Sequence, residues 1–131
     1  MCSMFYSCSS LTSLDLSNFN TLKIPHINYI FFDYSFLTSL NLDNFNTNNV
    51  TRMRYMFNNC SSLTYSNLSN FNTNNVIYMN NMFDGCSSLI SLDISNFNTN
   101  NVKDMYNMFR DFNKEKCKLI CNNAKILKEF K

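Results

Sequence analysis

The chain has 131 residues, of which 45% are hydrophobic and 15% aromatic, and its net charge is only +2. This composition excludes an intrinsically disordered chain, because disorder requires few apolar residues and a high net charge. Gly85 is the only glycine, which excludes a glycine-rich loop that binds phosphate.

Turns in this chain must be built mainly from Asn, Ser and Asp, because only one Gly and one Pro are present. These side chains tolerate left-handed backbone and bond to their own main chain. The high Asn content has a second explanation, since Asn, Ile, Lys, Phe and Tyr have AT-rich codons. Asparagine abundance is therefore not in itself a sign of a ligand site.

A 26-residue repeat runs through most of the chain. The heptad NFNTNNV occurs at 44–50, 70–76 and 96–102, and neighbouring apolar residues keep the same step. Self-similarity at a fixed period of this size indicates a repeat architecture. The equivalent apolar residues form columns: Leu11, Leu37, Leu63 and Leu89; Leu16, Leu42, Leu68 and Ile94; Phe19, Phe45, Phe71 and Phe97; and Phe5, Phe31, Phe57, Phe83 and Phe109.

The first residues already lie inside a repeat, because Met1 falls in the same column as Met53. No basic start followed by an apolar leader is present, so we expect no signal peptide and interpret the chain as a fragment of a longer protein. The first repeat would then lack a covering neighbour, and an uncovered edge promotes self-association. The apolar side chains expected to be exposed there are Met4, Phe5, Leu14 and Leu16.

The segment LTSLDLSNF (11–19) predicts a short strand. Its apolar residues Leu14 and Leu16 alternate with Ser13, Asp15 and Ser17, which is the two-residue rhythm of a strand. Equivalent segments follow once in each later repeat. We therefore expect a series of parallel strands with one polar and one apolar side.

The segment LKIPHINYIFFDYSF (22–36) differs most in sequence from the other repeats, but its apolar residues stay in the same columns. Pro25 would lie in the first turn of a helix, where a missing N–H costs little. His26, the only histidine, is expected to be an exposed substitute in the column of Arg52.

The segment NNVTRMRYMFNNC (48–60) predicts about two turns of helix. Its apolar residues recur at steps of three and four: Val50, Met53, Met56, Phe57 and Cys60. Thr47 or Asn48 would cap the first turn, and Asn58 and Asn59 would end the helix with a left-handed residue. The heptad is then the corner between a strand and a helix.

The polar positions of the heptad are predicted to link neighbouring repeats. Equal positions on adjacent parallel strands lie about 4.8 Å apart, so a column of asparagines can pass hydrogen bonds from one repeat to the next. We favour this structural role over ligand binding. The two columns are Asn18, Asn44, Asn70 and Asn96, and Asn20, Asn46, Asn72 and Asn98.

One repeat carries a polar residue at an apolar position. Ser66 stands in the column that is otherwise leucine. We expect this position to be underpacked unless the neighbouring Tyr65 compensates.

The segments MFNNCSSLTYSNLSNFNTNNVIYMNNMF (56–83) and MFDGCSSLISLDISNFNTNNVKDMYNMF (82–109) resemble the BspA-like leucine-rich repeat. This variant occurs in surface proteins and lipoproteins of mycoplasmas, brachyspiras, other bacteria and some protists. The resemblance covers residues 1 to about 112. It implies an α/β solenoid, a leucine-rich-repeat-like right-handed stack of short parallel strands and short helices, with one 26-residue repeat per turn. It also implies adhesion and protein–protein contact, a parent protein at the cell surface or outside the cell, and no catalytic residues.

Two parts are expected: a solenoid of about four repeats at 1–112, beginning within a repeat, and an amphipathic basic cap or tail at 113–131. From Arg110 onward the chain holds seven of the 11 basic and three of the nine acidic residues. Apolar residues at helical steps predict a helix there: Cys117, Ile120, Cys121, Ala124 and Leu127. Basic amphipathic helices can bind nucleic acid or anionic membranes. We favour a cap over the last repeat, with no nucleic-acid partner and no membrane contact.

Cys8, Cys60 and Cys86 are predicted to be free and buried, as small apolar residues. Cys8 lies two repeats from Cys60, which is beyond the reach of a disulfide, whereas Cys60 and Cys86 in adjacent repeats could approach bonding distance. Cys117 and Cys121 could form half of a metal site, but no His or second cysteine pair accompanies them. We predict no metal and no cofactor.

The sequence offers few residues that could together form a catalytic site. A Ser/His/Asp or Cys/His arrangement would have to use His26, which has no evident orienting carboxylate. Asp15 and Asp93 stand three repeats apart, which is too far for a carboxylate pair. We predict that the protein is not an enzyme.

Two hypotheses for function remain. In the first, the exposed strand face binds a host or cell-surface macromolecule through wet contacts of modest affinity, with Tyr65 as the only aromatic anchor. In the second, the repeats are spacers and recognition lies elsewhere in a parent protein. The predicted face consists of Ser13, Asp15, Ser17, Ser39, Asn41, Asp43, Tyr65, Asn67, Ser69, Ser91, Asp93 and Ser95.

Overall fold

The computed structural model describes Met4 and residues 10–131. Its strands are β1 (Ser39–Leu40), β2 (Tyr65–Ser66), β3 (Ser91–Asp93) and β4 (Lys118–Ile120), and its helix is α1 (Ala124–Phe130). β1 pairs with β2 and β3 pairs with β4, both in parallel. The first three strands lie at equivalent places in successive repeats, where the two-residue rhythm predicted them. The strand predicted for 11–19 is wrong, because that segment forms no strand.

The predicted fold class is wrong. The sequence indicated an α/β solenoid of strands and helices with one 26-residue repeat per turn. In the described residues, the only α-helix is α1, which lies outside the repeats, and the strands form two separate two-stranded sheets. The described chain is a small mixed α/β domain.

Left-handed residues prevent the helix that was predicted for 48–60. Tyr55 and Asn59 have φ angles of 55° and 58°. A right-handed helix cannot continue through such residues. A series of tight turns with left-handed residues at this spacing places side chains in the core at nearly the same sequence intervals as a helix. The apolar pattern therefore could not distinguish a helix from such turns. The prediction of a left-handed residue at Asn59 is confirmed.

The backbone of this segment bonds to the next repeat rather than to itself. Alternate N–H groups donate to carbonyls of that repeat: Met53 to Tyr78 at 2.9 Å, Tyr55 to Asn80 at 3.1 Å, Phe57 to Met82 at 2.9 Å and Asn59 to Asp84 at 2.8 Å. Buried backbone groups need such partners. Residues one repeat apart are therefore neighbours in space, although the predicted helices are absent.

Phenylalanine rings form a continuous row through the core. The rings of Phe31, Phe57, Phe83 and Phe109 follow one another at centroid distances of 5.7, 5.4 and 5.9 Å. The interplanar angles are 20°, 3° and 9°, so the rings are offset and nearly parallel, an arrangement that aromatic pairs favour. Phe5, the predicted first member of the row, lies outside the described residues.

The core covers part of the edge that was expected to be exposed. Leu16 is only 5% exposed, so its predicted exposure is wrong, and Leu14 is partly buried against the core. Phe19 stacks on Phe45 at 5.9 Å. Met4 is 55% exposed, as predicted, and Phe5 lies outside the described residues.

The tail forms a strand before it forms a helix. The predicted helix over 117–127 begins only at Ala124, because Lys118–Ile120 pairs with β3 and satisfies its open backbone edge. The Asn123 side chain caps α1 by accepting hydrogen bonds from two backbone N–H groups in its first turn. No helix in the described part of the chain is long and apolar enough to span a membrane. The division into 1–112 and 113–131 stays a prediction.

Candidate functional site

All twelve residues of the predicted strand face lie at the protein surface, with Asn67 and Ser91 partly buried. Strand pairing sets Ser39 of β1 opposite Tyr65 of β2. The inward positions of the same strands, Leu40 and Ser66, are buried. The predicted sidedness of the strands is therefore confirmed. We call the twelve residues the strand face.

Five of these residues meet at a surface cleft of about 320 Å³. Besides Leu40, the lining residues are Ser39, Asn41, Asp43, Tyr65 and Asn67. The Tyr65 side chain is exposed, and the amide of Asn67 donates to a carboxylate oxygen of Asp43 at 3.2 Å. The cleft thus combines one exposed aromatic ring with amide, hydroxyl and carboxylate groups. We call it the Tyr65 cleft.

A smaller cleft of about 80 Å³ groups another part of the strand face. Asp15 and Ser17 lie there beside Asn41 and Asn44. The remaining members line neither cleft: Ser13, Ser69, Ser91, Asp93 and Ser95.

Four residues of the strand face, one at the same position in each repeat, stabilise turns. The side chains of Asp15, Asn41, Asn67 and Asp93 each accept a hydrogen bond from the backbone N–H two residues later, at 2.9, 2.9, 3.1 and 3.0 Å. Such Asx turns redirect the chain without glycine. The bonds from the Ser17 and Ser95 backbones lower the pKa of Asp15 and of Asp93 from their ordinary values. These oxygens are thus already partly used within the protein.

Strand β4 extends the strand face in a way that the sequence did not reveal. Lys118 and Ile120 are exposed and lie opposite Ser91 and Asp93. In each pair the two residues are separated in sequence by one residue more than the repeat length. The tail strand is therefore out of register with the repeat and does not match its pattern. The signal that could have found it is the short run from Lys118 to Ile120, which is long enough for one of the strands seen here.

The heptad asparagines line a polar groove of about 390 Å³ next to the Tyr65 cleft, but their amides hold the backbone. The Nδ2 group of Asn70 lies within hydrogen-bonding distance of the carbonyls of Leu42, Asp43 and Phe45. Asn72 donates to the side chain of Asn48 at 2.9 Å. The predicted structural role is confirmed, although most of these bonds reach backbone carbonyls and not other amides.

The threonine of the heptad also joins adjacent repeats. Thr47 donates through Oγ1 to the Asn72 carbonyl at 3.0 Å and accepts from the Asn72 N–H at 2.7 Å. Thr73 makes the same pair of contacts with Asn98. In the third heptad the Thr99 hydroxyl donates to the Asn123 side chain at 3.0 Å, so it joins the last repeat to the tail.

Cys60 and Cys86 are free and fully buried, as predicted. Their thiols donate to the carbonyls of Phe31 and Phe57 at 3.1 and 3.0 Å. Burial raises the pKa of Cys60 to about 12 and also raises the pKa of Cys86, so neither thiol is a ready nucleophile. Cys8 lies outside the described residues.

The other candidate metal ligands do not form a cluster. Cys117 is buried and Cys121 partly buried, and no group of three or more ligating side chains occurs among residues 10–131 and Met4. His26 lies beside Arg52 in a parallel bridge, which confirms its column, but it is partly buried and not exposed. Its Nδ1 lies 2.8 Å from the Pro25 carbonyl and 3.3 Å from the Thr51 hydroxyl.

The fold and the strand face define a small repeat-containing domain with an exposed polar face beside short parallel strands. The chain belongs to the family described as "Mycoplasma protein of unknown function, DUF285", whose model matches residues 35–127. This family occurs in BspA-like surface proteins. The match includes β4 and the first residues of α1. No curated protein and no solved structure shows significant similarity to the chain.

Proposed function

We propose that the strand face is a protein-binding surface of a BspA-like surface protein and that the domain has no catalytic activity. The observation that carries this proposal is the Tyr65 cleft, in which a side chain that is 57% exposed stands beside Asp43 and Asn67. Tyrosine is an effective anchor at interfaces, because it supplies a large contact area with few rotatable bonds.

The polar groups of the cleft favour a protein partner with complementary hydrogen-bonding groups. Asp43 accepts a hydrogen bond from Asn67 but forms no ion pair within residues 10–131, so its charge can meet a basic side chain of the partner. The neighbouring amides and hydroxyls suit contacts that retain water and have modest affinity. Membership of a family found in BspA-like surface proteins supports a parent protein at the cell surface, with a host or cell-surface protein as the partner.

The test is binding of the full chain to immobilised host-matrix proteins. We expect saturable binding that Tyr65→Ala weakens by about tenfold or more, as is usual for an aromatic anchor. Asp43→Asn, which keeps the side-chain shape but removes the charge, should weaken it less. The matched control is Tyr106→Ala, which removes a tyrosine that is 70% exposed and lies outside the strand face.

Equal losses for Tyr65→Ala and Tyr106→Ala, or adsorption that does not saturate, would contradict the proposal. The second candidate function, a structural spacer, is favoured by the Asx turns, which use side-chain oxygens of the strand face internally. A spacer predicts that no strand-face substitution changes the binding of the parent protein to cells. It also predicts that removal of one repeat shortens the protein without abolishing binding.

A further inference from the structure

A second surface, which shares no residue with the strand face, carries two arginines that converge on one tyrosine. We define it as the Arg–Tyr patch: Asn28, Arg52, Arg54, Tyr78 and Asn80. Arg52 and Tyr78 are neighbours in a parallel bridge. The backbone N–H of Arg54 donates to the side-chain oxygen of Asn28 at 2.9 Å, which joins the patch to the preceding repeat.

Tyr78 positions both guanidinium groups. The Cζ atom of Arg54 lies 3.9 Å from the centre of the Tyr78 ring, and that of Arg52 lies 5.7 Å from it. Both distances are within the range of about 6 Å over which a ring attracts a cation. An arginine held against a ring loses less conformational entropy when it binds a ligand, because its planar group is already oriented.

Neither arginine is neutralised by the described protein. The two ion pairs within residues 10–131 both belong to Arg110, and none involves Arg52 or Arg54. A guanidinium offers several N–H donors in a plane that matches the oxygens of a carboxylate, sulfate or phosphate. The Arg–Tyr patch therefore has two oriented cations without an anion.

Two enclosed polar atoms in the same patch also have no hydrogen-bond partner. They are Nε of Arg54 and Oδ1 of Asn80. Such atoms are rare in folded proteins and call for an explanation, of which an unseen ion or ligand is one. One is a cationic donor and the other a neutral acceptor, and both are closed to solvent, so a ligand that bonds to them after these side chains rotate would need both an oxyanion and a hydroxyl group.

We propose that the Arg–Tyr patch binds an acidic sugar, a saccharide unit that carries a sulfate or carboxylate group. The arginines would hold the anionic group, and Asn80 would accept from a neighbouring hydroxyl. An anion flanked by hydroxyls is characteristic of an acidic sugar, whereas the phosphates within a DNA strand have no neighbouring free hydroxyl.

The experiment measures binding of the full chain to three oligosaccharides by calorimetry at low ionic strength, where charge interactions are not screened. The probes are a heparin octasaccharide with sulfate groups, an oligogalacturonate with carboxylates only, and neutral maltooctaose. We expect saturable binding of one or both acidic probes and none of the neutral probe. Binding of oligogalacturonate would show that a carboxylate suffices, whereas binding of heparin alone would identify its sulfate groups as the anion.

Four substitutions and a matched control test the site. Arg52→Gln and Arg54→Gln should each weaken binding by about tenfold or more, because each removes a charge-assisted contact. The control, Lys118→Gln, changes the net charge equally but lies on β4, and it should change affinity by less than about twofold. Tyr78→Phe keeps the ring and should preserve binding, whereas Tyr78→Ala should not.

The unaltered protein gives an independent readout. The NMR signal of the Arg54 Nε–H group should shift on addition of the acidic probe and not on addition of maltooctaose. Three results would overturn the proposal: an equal effect of Lys118→Gln, which would indicate adsorption to the basic tail; an unchanged Arg54 signal at saturation; or binding of a single-stranded oligonucleotide but of neither acidic saccharide.

Discussion

Single asparagine amides connect the repeats of this domain. The Nδ2 group of Asn96 lies 3.0, 3.3 and 2.7 Å from the carbonyls of Leu68, Ser69 and Phe71 in the preceding repeat. An NH₂ group with two hydrogens, shared among three carbonyls, satisfies a tight backbone turn. These contacts account for asparagine at this position of the heptad, because a side chain without an NH₂ group would leave the carbonyls without this donor.

Replacement of Asn96 by alanine should lower the free energy of unfolding by about 1 to 2 kcal/mol, the usual cost of lost hydrogen bonds to partly buried carbonyls. The control is Asn100→Ala in the same heptad, since that side chain makes no comparable contact with the preceding repeat. Urea denaturation of both variants measures the difference. Equal stabilities of Asn96→Ala and Asn100→Ala would show that the asparagine column does not hold the repeats together.

Ser66 is a defect in the core. It is only 4% exposed, its hydroxyl has no hydrogen-bond partner, and Tyr65 does not compensate because its side chain lies at the surface. We predict that Ser66→Ala stabilises the protein by about 1 kcal/mol by removing the unpaired hydroxyl, and that Ser66→Leu adds a further contribution by burying apolar surface. Thermal unfolding measures the change. A lower melting temperature for Ser66→Ala would contradict this interpretation.

The buried Cys60 thiol should make stability depend on alkaline pH. Burial raises its pKa from 9.0 to about 12 in the folded protein, so the unfolded chain loses this proton first. The folded state is therefore fully favoured below about pH 9 and progressively disfavoured above it, by roughly 2 kcal/mol at about pH 10.5. Comparison with Cys60→Ala isolates this effect from other titrations. If both proteins lose stability in parallel between about pH 8.5 and 10.5, the thiol does not contribute.

At the scale of secondary-structure elements, the strands were predictable and the helices were not. Outward and inward residues alternate along Ser91–Asp93, which is the two-residue rhythm of a strand. The spacing of Met53, Met56 and Phe57 fits both a helix and a series of tight turns, and only the left-handed backbone at Tyr55 distinguishes them. Tyrosine is not a residue that signals this conformation.

The candidate sites, like the secondary structure, could be predicted only in part from the sequence. Exposure of the strand face followed from the strand pattern, and the burial of Cys60 and Cys86 followed from their columns. The Arg–Tyr patch did not follow, because it depends on pairing between repeats that brings Arg52 and Arg54 to Tyr78. Strand β4 escaped prediction because its register is offset by one residue.

The tail elements β4 and α1 are predicted to stabilise the last repeat. The ring of Phe130 meets the rings of Phe109 and Phe112 edge to face at 5.2 and 5.8 Å, and Ile126 is fully buried. Phe130→Ala should lower the free energy of unfolding by about 1 to 2 kcal/mol, less than for a fully buried ring because Phe130 is partly exposed. Lys131→Ala is the control, and chemical denaturation measures both. Equal stabilities of the two variants would contradict this role of the ring.

Deletion of residues 113–131 should have a larger effect, because it also exposes the backbone edge of β3. We expect a lower melting temperature and lower solubility. A truncated chain that stays monomeric and melts at the same temperature would rule out the role of a cap.

At the scale of the whole molecule, the domain is held together by contacts between residues about one repeat apart. Hydrogen bonds of the heptad, alternate backbone N–H groups, and the row of phenylalanine rings all join the same neighbouring segments. The strand face and the Arg–Tyr patch both depend on this pairing, because each combines side chains from different repeats. Loss of the pairing would therefore remove both candidate surfaces together.

Hydrogen-bond-mediated couplings between amide nitrogen and carbonyl carbon, measured by NMR on the deuterated protein, test this pairing most directly. We predict cross-peaks from the N–H groups of Met53, Tyr55 and Phe57 to the carbonyls of the next repeat. The expected acceptors are Tyr78, Asn80 and Met82. Cross-peaks to carbonyls one helical turn earlier in the chain would instead show a helix and would contradict the pairing of repeats.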